Sequence, residues 1–324
     1  MKIFDSQVNW GRNVFGPNSD IETYIANAQN MGICKVIIIP TGTHELILPD
    51  GSVEKSCLWF YRDGRITYKT TTQSLDGKLY EEINPSNPYR RMNGETLALV
   101  RRLNSQYRQM KFYFSPKVHP KLDTKEEVER LIRNEEVVAF KITTLSSYAS
   151  ASDMPDWLVS LSHSYGLPIM VHTDYIDEND TTVSPEMQSI MRQSHPLKWI
   201  EWAKARNVRM FLAHGLRLDP KSCAAVNNSD NFIVGLGPDL LLQTEQSRLV
   251  TKTSDYLSVL FGLLDEDKIS FNTDYRWNVK NRNDWNNLDW KTPARISQFA
   301  TRHGLKDDFL KKIFSENSER FFKN

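Results

Sequence analysis

The chain of 324 residues is 40% hydrophobic and 25% charged, an ordinary globular composition that excludes a disordered, collagen-like or disulfide-scaffold protein. With 41 Lys and Arg against 40 Asp and Glu the net charge is +1, and the basic cluster Tyr89-Arg90-Arg91 is too short for a polyanion surface, so neither nucleic acid nor a membrane is expected as partner. Three cysteines without a CxxC pair (Cys34, Cys57, Cys223) suit a reducing compartment, no apolar run approaches a membrane span, and Met1–Asp5 lacks an h-region, so a cytoplasmic protein is expected.

Short apolar runs alternate with helical patterns. Met1–Phe4 predicts a first strand. Ser19-Asp20 caps a helix through Met31, with Ile21, Tyr24, Ile25 and Ala28 at three- and four-residue spacing, and Gly32 ends it. Lys35–Pro40 is a second strand whose core, Val36-Ile37-Ile38-Ile39, is apolar on both faces, as in a parallel sheet. Residues 43–86 break the rhythm. Three Asp-Gly turns (Asp50-Gly51, Asp63-Gly64, Asp76-Gly77) lie among strand formers that include Trp59, Phe60, Tyr61 and Tyr68, and predict an inserted β-ribbon. A lid over the site and a subunit contact are both open for it.

The alternation resumes with helices near 88–104, 124–134, 155–165, 197–206, 220–226 and 247–264 and strands near 110–115, 137–142, 168–171, 208–213, 232–234 and 269–272, followed by a helical tail from Pro293. Eight strands, nearly all followed by a helix, predict a single-domain (β/α)8 TIM barrel over residues 1–324 with the β-ribbon inserted after strand two. A doubly wound open sheet would want a Gly-rich phosphate loop after strand one. Gly235-Leu236-Gly237 is a lone GxG after strand seven, better suited to loop geometry.

In such a barrel, side chains at the C-terminal strand ends converge on one face. Those ends carry Asp5-Ser6-Gln7-Val8-Asn9, Thr41-Gly42-Thr43-His44, Lys117-Val118-His119, Lys141, His172-Thr173-Asp174, His214-Gly215, Gly237 and Asn272-Thr273-Asp274. A polar group inside an apolar strand costs roughly 1–3 kcal/mol if left unpaired, so Lys141 within Val137-Val138-Ala139-Phe140-Lys141-Ile142 implies a polar centre for it to reach. His172, His214 and Asp274 each follow an apolar run at a strand terminus, and form the candidate catalytic group with Lys141. His163, His195 and His303 lie on helices or loops and read as surface residues, while His44 opens the insertion.

These segments resemble the amidohydrolase superfamily, in particular the amidohydrolase-related branch that includes aminocarboxymuconate semialdehyde decarboxylase and pyrone dicarboxylate lactonase. The matching stretches are Ile3-Phe4-Asp5, Asn87-Pro88-Tyr89-Arg90, Ala139-Phe140-Lys141-Ile142, Gly166–His172, Phe211-Leu212-Ala213-His214-Gly215, Phe271-Asn272-Thr273-Asp274 and Ile313–Phe322. The resemblance implies a (β/α)8 barrel and one divalent metal, often zinc, held by a strand-one His-x-His, the strand-five His and the strand-eight Asp. By position His172 and Asp274 would be metal ligands and His214 the acid/base. The His-x-His positions here are Gln7 and Asn9, neutral amides that zinc disfavours, so a metal-free site is the stronger expectation.

Three functions follow. A metal-independent hydrolase of a small-molecule amide, ester or lactone would use Asp274 as general base, His172, His214 and Lys141 at the developing oxyanion, and Gln7, Asn9 and Arg276 as substrate-binding groups. A metal-dependent hydrolase, decarboxylase or lyase would use the same residues around an ion. A non-catalytic barrel would only bind a ligand. A homodimer is the expected assembly.

Overall fold

A computed structural model of the chain describes residues 1–12, 21–47, 50–56, 67–147, 149–173, 192–236, 253–274 and 283–322. The strands among these are β1 (Ile3–Gly11), β2 (Ile33–Thr41), β3 (Thr43–Ile47), β4 (Val53–Ser56), β5 (Thr67–Gln73), β6 (Leu79–Ile83), β7 (Lys111–Phe114), β8 (Phe140–Thr143), β9 (Ile169–His172), β10 (Met210–Leu212), β11 (Phe232–Gly235) and β12 (Ile269–Ser270). β1, β2 and β7 form one parallel sheet and β8 to β12 another. Both seams between the sheets are bonded. Val138 N donates to Phe114 O (3.1 Å) and Lys141 N to Pro116 O (2.8 Å), while Ser6 N and Oγ donate to Phe271 O at 3.2 and 2.9 Å. The eight parallel strands thus close into the (β/α)8 barrel that the alternation predicts.

Helices cover the outside, and their ends follow local chemistry. Thr124 accepts Glu127 N to cap Lys125–Ile132, and Asp219 accepts Ser222 N at the head of Pro220–Asn227. Gly166, at φ 63°, takes the left-handed cap that ends Asp156–Tyr165. The larger apolar core lies between strands and helices (Val36, Ile38, Phe112, Phe140, Val171, Trp199, Leu212). A smaller one fills the barrel, with Phe4, Ile37, Ile39, Ala139, Met170, Phe211 and Ile233 packed on Phe321 and Phe322 of the last helix. Two cores on opposite faces explain why the strands read as unbroken apolar runs. Alternation then puts the residues two further on, Lys141, His172 and Gly235, on the inner face above this apolar floor.

Three boundaries differ from the sequence reading. The first strand runs to Gly11, with register shifts between Asp5 and Val8, so Gln7 and Asn9 lie within it and not beyond it. The last barrel strand stops at Ser270. The insertion is a four-stranded antiparallel sheet of order β4-β3-β5-β6, larger than a ribbon. Its Gly51 and Gly77 have φ of 81° and 83°, as Asp-Gly turns require, and Tyr68 is buried with its hydroxyl donating to Pro85 O. The third Asp-Gly turn, with Trp59, Phe60 and Tyr61, lies outside the described residues. Among the described residues no helix is long and apolar enough to cross a membrane, and Cys34 and Cys223 are free thiols.

Candidate active site

The inner faces of β1, β8 and the segment after β12 meet in one hydrogen-bonded chain. Lys141 Nζ donates to Gln7 Oε1 (3.2 Å), Gln7 Nε2 donates to Asp274 Oδ1 (2.5 Å), and Asn9 Nδ2 donates to the same oxygen (2.7 Å). Lys141, Gln7 and Asp274 are all buried, at 3%, 2% and 1% exposure, which makes every bond in this chain costly to lose. The chain also fixes the orientation of Gln7. An ammonium only donates, so it takes the amide oxygen; a carboxylate only accepts, so it takes the amide N–H.

At the ends of β9 and β10, His214 Nε2 and His172 Nδ1 lie 2.9 Å apart and share one hydrogen, their rings 4.4 Å between centroids at 70°. The strand ends that carry them are braced. Thr144 Oγ1 donates to His172 O (2.9 Å) and Thr173 Oγ1 to Ala213 O (2.6 Å). His214 opens a run of five residues, His214 to Leu218, all at φ between 52° and 65°. Gly215 stands in it where a Cβ would lie 2.4 Å from the Tyr256 hydroxyl.

Asp274 itself has φ 48°, a left-handed conformation that costs a non-glycine residue stability. Asp5 holds it there. Its carboxylate, fully buried, accepts from Thr273 N (2.9 Å), Thr273 Oγ1 (2.7 Å) and Tyr24 OH (2.8 Å). Burial pushes the Asp5 carboxyl up to about 6, against the opposing pull of the Thr273 and Tyr24 bonds. Sequence reasoning assigned Asp5 no role; its place two residues before Gln7, at the end of an apolar strand, was the available signal.

Lys117 is the second residue without a role in the sequence reading. It is buried, at 6% exposure, with Nζ 4.9 Å from the centre of the Tyr89 ring, and Asn93 clamps its backbone N and O at 2.9 Å each. It pairs with Lys141 across the β7–β8 seam. His119, next along, is buried, and its Nδ1 accepts Lys121 N, so the ring is neutral with hydrogen on Nε2. Burial, with Lys121 and Lys117 nearby, pushes its pKa down to about 3, and burial pushes Asp123, which accepts His119 N, up to about 7.

The structure thus joins Asp274, Gln7, Asn9 and Lys141 in one hydrogen-bonded chain and His172 with His214 in a second pair, both carried by C-terminal strand ends of the barrel. Arg276 lies outside the described residues, as does Gly237; His44 is described only in its backbone. His163 and His303 are exposed, and His195 caps the helix Pro196–Arg206 by accepting Leu197 N.

The residues do not fit the divalent metal that the family resemblance implies. Two of the four ligand positions are amides, and both turn N–H groups toward Asp274. The Lys141 ammonium sits one amide away from another of the four, Asp274. Among the described residues no group of three or more His, Cys, Asp or Glu side chains is arranged to hold a metal ion.

No known family profile and no curated protein matches the sequence. The fold has clear counterparts among solved structures. A probable 2-pyrone-4,6-dicarboxylic acid hydrolase from Acinetobacter baumannii superposes with TM-score 0.57 at 10% identity over 99% of both chains. The 5-carboxyvanillate decarboxylase of Sphingomonas paucimobilis gives 0.57 at 9% identity over 99% of this chain and 98% of its own. An amidohydrolase from Burkholderia multivorans gives 0.54 at 10% identity over 99% of both. At such identity the likeness is one of fold: this chain has the barrel that those enzymes use.

Proposed function

We propose that the protein is an amidohydrolase-like enzyme that hydrolyses an amide, ester or lactone bond in a small molecule by acid–base chemistry of its own side chains. The observation that carries this reading is that the hydrogen-bonded Asp274 and the His172–His214 pair both stand at C-terminal strand ends of a barrel whose structural neighbours include hydrolases. Asp274 takes a proton from water as the water oxygen bonds to the acyl carbon. The His172–His214 pair gives a proton to the departing oxygen or nitrogen as its bond to that carbon breaks, and the proton taken up by Asp274 restores the pair. Lys141, through Gln7, and Asn9 keep the Asp274 carboxylate aimed while charge moves. Arg276, which follows the same strand end, is the proposed partner of a substrate carboxylate. The sparse, free thiols support a cytoplasmic setting.

The test is a screen of purified protein against activated esters and lactones, followed by Asp274→Asn. The variant is expected to lose at least about 100-fold in kcat/KM, within the range for a general base, and a chelator is expected to leave the wild type unchanged. Full activity in Asp274→Asn would refute the assignment. Because a decarboxylase shares the fold, β-keto and aromatic acids belong in the same screen, and carbon dioxide release from them would move the reaction class to lyase.

A further inference from the structure

We infer that Lys141 is the site's own cation, and that through Gln7 it positions Asp274 and keeps divalent metals out. This concerns the site of the proposed activity, but its test reads metal binding and not turnover, so the two can fail separately.

A buried carboxylate must be compensated by charge or by hydrogen bonds. In this barrel Asp274 Oδ1 receives two N–H groups, one each from Gln7 and Asn9, and Gln7 passes on the polarisation of the Lys141 ammonium at its other end. The two amides occupy the positions from which imidazoles would reach a metal. To ligate one, each would have to turn its oxygen inward. Gln7 cannot do so without presenting N–H groups to an ammonium, which accepts nothing. A divalent ion placed among them would also meet the Lys141 charge in a buried, low-dielectric setting, where repulsion is screened little. Substitution at positions 7 and 9 and retention of the lysine therefore form one device, and Lys141 acts as a positioning residue, not as a group that attacks substrate.

The experiment is equilibrium dialysis of the full-length protein against zinc, with metal read by elemental mass spectrometry and affinity by competition with a chromophoric chelator. The wild type is expected to retain less than a tenth of an equivalent. Gln7→His/Asn9→His is expected to bind zinc, and adding Lys141→Met to that pair to tighten binding at least tenfold, whereas adding Lys141→Arg, which keeps the charge, leaves it weak. One equivalent of zinc in the wild type, lost in Asp274→Asn, would overturn the inference outright, and this arm needs no redesigned variant to fold. Equal zinc affinity with lysine, arginine and methionine at position 141 would overturn the role of its charge. Circular dichroism of each variant separates loss of the site from loss of the fold.

Discussion

Single atoms decide much of this site. Gly235 lies on the inner face, where a Cβ would come within 2.3 Å of Phe211 Cζ and 2.9 Å of Asn272 Oδ1. Gly235→Ala is therefore expected to destabilise by about 1–3 kcal/mol, as overpacking does; an unchanged denaturation midpoint would mean that the Phe211 ring yields freely. His119 sets a pH response. Its folded pKa of about 3 lies below the ordinary 6.5, so below pH 6.5 the unfolded chain takes up a proton that the native one refuses. That contribution to stability is complete above pH 6.5 and is lost toward pH 3, at up to about 1.4 kcal/mol per pH unit. Asp5 and Asp123 act in the opposite sense: with carboxyls raised to about 6 and about 7, their burial penalty is lifted as pH falls through those values toward 3.8. His119→Gln should thus lose less stability than the wild type between pH 6.5 and 4.5, as measured by urea unfolding across a pH series. Identical slopes would assign the acid response to other groups.

Among the elements, the left-handed run from His214 to Leu218 is the most demanding, since each non-glycine residue there pays about 1–2 kcal/mol in conformational energy. Arg217→Gly is expected to be about 1 kcal/mol more stable than Arg217→Ala, a comparison that isolates the backbone from the lost guanidinium; equal midpoints would show the turn to be relaxed. Nothing in the letters Ala-His-Gly or Gly-Leu-Arg-Leu announces such a run, because only Gly215 favours it. The barrel elements were legible for the opposite reason: Val36–Ile39 or Met210–Leu212 must be buried on both faces, and few folds permit that. Lys141, His172, His214 and Asp274 stood out as polar interruptions of such runs. In the sequence Gln7 and Asn9 follow the apolar Ile3-Phe4 and read as lying past strand one; the strand runs on through them with irregular register after Asp5, and both donate to Asp274. Lys117 was hidden because its burial depends on Tyr89 and Asn93, which precede it by more than twenty residues.

At the scale of the whole molecule, the barrel is a polar mouth over an apolar floor, and the floor depends on the last helix. Phe322 packs on Phe4 and Phe211 with ring centroids 6.1 and 5.8 Å apart. Phe322→Ala is expected to cost about 3–5 kcal/mol while leaving the mouth intact, so the variant should unfold at lower denaturant and keep its specific activity at low temperature. A fall in activity without a fall in stability would contradict this separation. The seam between Ser6 and Phe271 has a further consequence. The two residues are 265 positions apart, so the contact that shuts the cylinder spans most of the polypeptide. During synthesis the first strand emerges early and must wait, one edge uncovered, until the last barrel strand has left the ribosome. Folding of this chain is therefore bound to the pace of translation, and the interval before Phe271 arrives is the period in which a chaperone has most to protect.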